Sequence, residues 1–152
     1  MHRWREAGVD DPASQTLLAE YFASRAESFP ASMGEYRPVW PTPSQFASDD
    51  GLFLIVENDG VDVGCGGIRR LSPTRFEVKH LWVQPSARGT GLGRRLLAEL
   101  ESRARTRGAD ELVLDTNESQ AAAAALYRNT GYVDIEPYND NVNANVWLRK
   151  VL

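Results

Sequence analysis

Val83-Gln84-Pro85-Ser86-Ala87-Arg88-Gly89-Thr90-Gly91-Leu92-Gly93-Arg94-Arg95-Leu96-Leu97 is the stretch whose reading decides the fold. It reads as a strand end, a tight glycine loop and the first turn of an amphipathic helix. The first N–H groups of a helix have no partner inside it, and the helix dipole adds partial positive charge there. Glycines at 89, 91 and 93 remove the side chains that would hold a ligand away, so the loop predicts a main-chain site for phosphate or pyrophosphate. The glycine spacing is not Gly-x-Gly-x-x-Gly, and no Gly-Lys-Ser/Thr follows. Both facts argue against a dinucleotide fingerprint and a P-loop.

Working outward, Leu52–Glu57, Val61–Arg70 and Arg75–Val83 read as strands, with turns at Asn58-Asp59-Gly60 and Ser72-Pro73-Thr74, so that 52–83 forms an antiparallel meander. Alternation along 75–83 predicts Phe76, Val78, His80 and Trp82 on one face. Glu77, Lys79, Leu81 and Val83 fall on the other. Downstream, Leu92–Arg107 reads as a helix ended by Gly108. A short strand at 111–115 follows, parallel to 75–83 because a helical crossover joins them. Asn117 and Gln120 are spaced as a capping box for a helix that runs to Gly131. Then come a strand at 132–135, a polar loop at 137–143 and a terminal strand at 145–152. Upstream, residues 3–8 read as a short strand and Ser14–Phe29 as a helix capped by Ser14. The stretch 30–50, with Pro30, Pro38, Pro41 and Pro43, reads as loop with one helical turn at 44–47.

The chain has 152 residues, 42% of them apolar and 25% charged, with a net charge of −4. That composition predicts one domain over residues 1–152 and no nucleic-acid partner. The arginines at 88, 94, 95, 103, 105 and 107 form either a solvated helix face or a local field that attracts phosphate. The single cysteine, Cys65, has no intrachain partner and reads as a buried thiol, which fits a reducing cytoplasm. No apolar run approaches the roughly 18 residues of a membrane span. No His/Cys/Asp cluster has ligand spacing, so no metal is expected.

Arg88-Gly89-Thr90-Gly91-Leu92-Gly93 resembles the Arg/Gln-x-x-Gly-x-Gly/Ala signature of the GNAT (GCN5-related N-acetyltransferase) superfamily. Lys79-His80-Leu81-Trp82-Val83-Gln84-Pro85 resembles that family's fourth strand. Ala125-Leu126-Tyr127-Arg128-Asn129-Thr130-Gly131-Tyr132 resembles its second signature, Ala-x-x-Leu-Tyr-x-x-x-Gly-Phe/Tyr. The resemblance is closest over about 50–135. It implies an α/β fold of the α+β type: a mixed, mostly antiparallel sheet with a central, splayed parallel strand pair flanked by helices.

The resemblance also implies acetyl-CoA as cosubstrate. Its pyrophosphate would lie on the amides of Arg88, Gly89, Thr90, Gly91, Leu92 and Gly93, beside Arg94. Its pantetheine arm would run along Leu81, Trp82 and Val83 as an added strand. The family often has Asn seven residues before the signature Tyr; here Gln120 stands there, with Asn117 nearby. The implied activity is transfer of an acetyl group to a primary amine of a small molecule, by direct attack in a ternary complex. Alternatives are a non-catalytic CoA-binding module and an acetyltransferase for protein or peptide amines.

In that scheme Tyr127 is the acid for the leaving thiolate, and the backbone N–H of Leu81 or Val83 stabilises the oxyanion. Glu77 is the general base or a paired strand residue, with a water chain as the other route for the proton. His80 is a half-buried strand residue or a relay. Tyr36, Trp40 and Phe46 are packing residues or an acceptor-pocket wall. The loop with Asp134, Glu136, Tyr138, Asp140 and Asn141 is a solvated turn or faces a cationic acceptor. The terminal strand is a candidate for pairing across a homodimer.

Overall fold

Leu52-Phe53-Leu54-Ile55-Val56 is apolar at every position, and the structure buries all five side chains, so this strand has a core on each face. The structure is a computed structural model that describes residues 1–152. Its strands are β1 (His2–Glu6), β2 (Gly51–Asn58), β3 (Val61–Arg70), β4 (Arg75–Val83), β5 (Glu111–Thr116), β6 (Val133–Asp134) and β7 (Val146–Val151). They form one sheet in the order β1-β2-β3-β4-β5-β7-β6. The first four pair antiparallel, β5 runs parallel to β4, and β7 lies antiparallel between β5 and β6. The helices are α1 (Pro12–Ser28), α2 (Leu92–Thr106) and α3 (Ala121–Asn129). The mixed, mostly antiparallel sheet with one central parallel pair is the fold the sequence predicts.

One core joins Leu54, Val56, Ile68, Phe76 and Leu112 to the apolar stripe of α2, Leu92, Leu96, Leu97 and Leu100. The other joins Phe53, Ile55 and Cys65 to Leu17, Leu18 and Phe22 of α1. Burying each such leucine or phenylalanine contributes about 1.5–3 kcal/mol. Alternation along β2 therefore stitches both helices to one sheet. Burial raises the Cys65 pKa well above the usual thiol range, as expected of a packed thiol.

Three local expectations are corrected. Helix α1 starts two residues earlier than predicted, with the Asp11 side chain accepting from Ala13 N at 2.9 Å. Ser14 is not its cap; it lies inside the helix, fully buried. No capping box forms at α3, which starts at Ala121 with Gln120 as a cap whose side chain makes no bond to its own helix.

The third correction has the largest consequence. β4 does not alternate throughout. His80 adopts φ 58°, in the left-handed region, and the β3–β4 register shifts between Cys65 and Gly67. Two residues of β4, His80 and Leu81, thus stand opposite Gly66, which is a β-bulge. Phe76 and Val78 face the α2 core, Leu81 and Val83 pack against that same core, and Trp82 packs on the α1 side. His80 contacts Tyr21, Phe22 and Phe46 on the α1 side and lines one cavity there with Lys79. Glu77 and Lys79 are therefore on the opposite face from Leu81 and Val83, and His80 joins them.

Close approach explains Gly67. A Cβ there would sit 2.6 Å from Phe46 Cε1 and 3.3 Å from Phe53 Cδ2. Gly67→Ala is expected to overpack this contact and cost about 1–3 kcal/mol, read as a lower midpoint in urea unfolding at constant m-value.

Candidate active site

Parallel pairing of β4 with β5 runs only through Arg75/Glu111, Phe76/Leu112 and Glu77/Val113. Beyond these pairs the strands separate, and their facing edges have no strand partner. Three cavities follow one another through the gap.

The largest is a cleft of about 760 Å³. Leu81, Trp82 and Val83 of β4 line one side, and Ala121, Ala122, Ala123 and Leu126 of α3 line the other. Arg88, Gly89, Gly91, Leu92, Gly93 and Arg94 close one end, while Gln120, Ser24 and Ser28 complete the wall. Thr90 sits in the same loop without lining the cleft and donates to Ala87 O at 3.0 Å. Gly89 and Gly91 have φ of 81° and 78°, which a side chain would strain. The backbone N–H groups of residues 89–94 donate to nothing within the protein, so the loop is an open cradle of donors at a helix start. Arg88 stacks on Trp82 at 4.9 Å and donates to Val83 O at 2.9 Å, which ties the cradle to β4. These features fit a long ligand with an anionic end and an amide-bearing arm, as coenzyme A has.

The second cavity is a passage of about 40 Å³. It shares Leu81, Trp82, Gln120 and Ala123 with the cleft, and Tyr127 lines it. Tyr127 is 6% exposed, and its ring packs edge-on against Tyr132 at 5.7 Å. Its phenolic oxygen makes no hydrogen bond to the protein. Burial raises its pKa above the usual tyrosine range, so it keeps its proton at neutral pH.

The third cavity, of about 320 Å³, lies on the α1 side and shares Tyr21, Arg25, Lys79, His80 and Asp115 with the passage. Tyr36, Trp40 and Phe46 form part of its wall, as do Asn139, Asn141 and Asn143. Asp115 accepts from Asn139 at 2.6 Å and Asn141 at 3.1 Å, and pairs with Lys79 at 3.3 Å. Asn143 donates to Arg37 O at 2.7 Å, which fastens this loop to the proline-rich segment. Asp134, Glu136 and Asp140 do not line the cavity. The loop contributes neutral amides instead, and Asp134 pairs outside with Arg128.

Glu77 is fully buried and lines none of the three cavities. One oxygen accepts from Arg69 Nε at 2.7 Å, and the other from the Tyr138 hydroxyl at 2.5 Å. Asn117 is also outside the cleft. It donates to Asn143 O at 3.2 Å and accepts from Ser119 N at 3.0 Å, so it links two loops. Sequence reasoning missed Arg25, Arg69, Lys79 and Asp115 as cavity residues. One local signal was present for the loop: Asn at 139, 141 and 143 alternates with period two, and each amide oxygen at 139 and 141 caps the backbone N–H two residues on.

The chain belongs to the acetyltransferase (GNAT) family, whose model matches residues 15–132. It is 36% identical over 135 residues to an IAA acetyltransferase of Azospirillum brasilense, covering 88% of this chain and 85% of that one. It is 31% identical over 128 residues to the N-alpha-acetyltransferase RimI of Mycobacterium tuberculosis, covering 80% and 79%. The fold matches a GNAT-family acetyltransferase from Staphylococcus aureus with a TM-score of 0.80 at 18% identity, over 99% of each chain. It also matches the PaiA N-acetyltransferase of Thermoplasma acidophilum in complex with coenzyme A, with a TM-score of 0.74 at 17% identity, over 100% and 99%.

His80 gives the site a pH signature. Burial is the main force that lowers its pKa from 6.5 to about 3, Lys79, Arg69 and Arg25 push the same way, and Asp115 opposes them. Its Nδ1 is buried without a partner. The unfolded chain gains a proton below pH 6.5 that the folded site refuses down to about 3, so stability falls as pH drops through that window. Urea titrations between pH 7 and 5 are expected to show this loss, approaching about 1.4 kcal/mol per pH unit per group. His80→Asn, which tolerates the left-handed backbone, is expected to remove that component of the slope.

Proposed function

We propose that residues 1–152 act as one domain that moves an acetyl group from acetyl-CoA to a primary amine of a small molecule, by direct attack in a ternary complex. The observation that carries this reading is the series of cavities with shared walls, from a donor-lined cleft, past Tyr127, to a second and chemically different cavity. Acetyl-CoA supplies an acyl thioester. The N–H groups of residues 89–94 hold its pyrophosphate, and the free edge of residues 81–83 orients its amide arm. The α1-side cavity holds the acceptor, with Tyr21, Phe22 and Trp40 in its wall. A backbone N–H of Leu81 or Val83 serves the oxygen that gains charge.

Tyr127 holds a proton on its phenolic oxygen at the junction and delivers it to the departing sulfur. The new bond is N–C and the broken bond C–S. The amine loses one proton to solvent, and solvent returns one to Tyr127, so protons balance. Glu77, with both oxygens engaged and away from the cavities, acts by holding Arg69 and Tyr138 in place. Water at the Asp115 end of the passage takes the amine proton.

An acetyl-CoA assay across an amine panel, with free-thiol detection, tests the reading: amine-dependent thiol release is expected. Tight acetyl-CoA binding with no release from any amine would instead define a non-catalytic CoA-binding module. Tyr127→Phe is expected to lower kcat roughly 100-fold while leaving the KM for acetyl-CoA near the wild-type value. The lost hydroxyl has no protein partner, so the melting temperature should hold. An unchanged kcat removes Tyr127 from the acid role.

A further inference from the structure

Arg25 lies on the last turn of α1, 9% exposed, and lines both the passage and the α1-side cavity. Its only side-chain hydrogen bond goes to the Tyr21 hydroxyl at 3.2 Å. No carboxylate pairs with it. The other charges of the cavity are matched: Arg69 by Glu77 at 2.7 Å, and Lys79 by Asp115 at 3.3 Å. A buried guanidinium without a counter-ion is costly, and its planar fork suits a carboxylate. The cavity therefore has one uncompensated positive charge, at the mouth of the passage where an amine must enter.

Asp115 lines the same two cavities as Arg25. An unpaired guanidinium and a carboxylate already held by Lys79, Asn139 and Asn141 thus share one small space. Away from that pair one part of the wall is aromatic, with the Phe22 and Trp40 ring centroids 4.8 Å apart and Tyr36 and Phe46 beside them, and another part is the amides of Asn139, Asn141 and Asn143.

We propose that the acceptor is a free α-amino acid with an aromatic or large aliphatic side chain. Arg25 holds its carboxylate, Asp115 accepts a hydrogen bond from its amine, and the aromatic wall receives its side chain. This deepens the acceptor reading given above and rests on it. It also separates two kinds of amine. The N-terminus of a peptide has an amide where the free amino acid has a carboxylate, and so leaves Arg25 without its counter-ion.

The test compares L-phenylalanine, L-tryptophan and L-leucine with their α-amides, by calorimetric binding in the presence of CoA and by acetyl-CoA turnover. The free acids are expected to bind roughly 10- to 100-fold more tightly than the amides, the range for a charge-assisted pair. Arg25→Gln should collapse that preference to near parity, and Arg25→Lys should restore part of it, with melting temperatures confirming that both variants fold. Amides that match the acids, a preference that survives Arg25→Gln, or no binding of any free acid overturns the proposal. Binding that prefers the acids and depends on Arg25, without turnover of any amine, supports the carboxylate site and overturns the catalytic reading instead.

Discussion

The structure depends on one backbone constraint: β4 stops pairing with β5 after Glu77/Val113 and bulges at His80. A parallel pair that kept its ladder would close the gap, and its backbone groups would be satisfied internally. Because the ladder ends, an edge of β4 is free in mid-sheet, and a cleft and a cavity meet beneath it. The bulge then reverses which face the following residues occupy. It brings Lys79 and His80 together on the α1 side and turns Leu81 and Val83 back to the α2 core. Gly66 lies opposite the bulge because a Cβ there would meet Leu100 at 2.9 Å and Leu81 at 3.1 Å.

Helix α1 is a wall shared by the large cleft and the α1-side cavity. Ser24 and Ser28 face the large cleft, Tyr21 and Arg25 the passage, and Phe22 the α1-side cavity. Glu20 fixes the helix to the end of β4, accepting from Trp82 Nε1 at 3.1 Å and from Gln84 at 3.0 Å. Gln120 fixes it to α3, donating to Ser28 Oγ at 2.5 Å. Those contacts join three elements distant in the chain. They make α1 a support for side chains that lie within about two turns of each other yet line different cavities.

The charges beneath the cavity are arranged for shape more than for stability. Glu77 is held by Arg69 and Tyr138, and Asp115 by Lys79, Asn139 and Asn141. Removing such charges from water offsets most of the attraction gained. What the network secures is position. Asn139 also accepts from Trp147 Nε1 at 2.9 Å, so the loop before β7 is tied to β7 itself and to β5. The wall of the α1-side cavity is thus built by a chain of hydrogen bonds from the sheet outward.

Much was legible before folding. The glycine loop, the meander, the parallel crossover and the apolar stripe of α2 are local patterns of period, turn chemistry and spacing, and these are set by residues close together in the chain. Tyr127 was visible through its signature and the loop residues through theirs. Three things were not. A single left-handed residue at His80 cancels an alternation that the residues themselves display, because the bulge is imposed by β3 across the sheet. Glu77 looks free in sequence and is enclosed by Arg69 and by Tyr138, 61 positions away. Arg25 reads as one polar interruption in an apolar helix stripe, and only the packing of α1 over β4 reveals that it is buried without a counter-ion. Sequence alone determined the elements and the glycine-rich loop, because those follow from short-range chemistry. Tertiary structure decided which charges find partners, because pairing depends on contacts between segments that the chain order does not record.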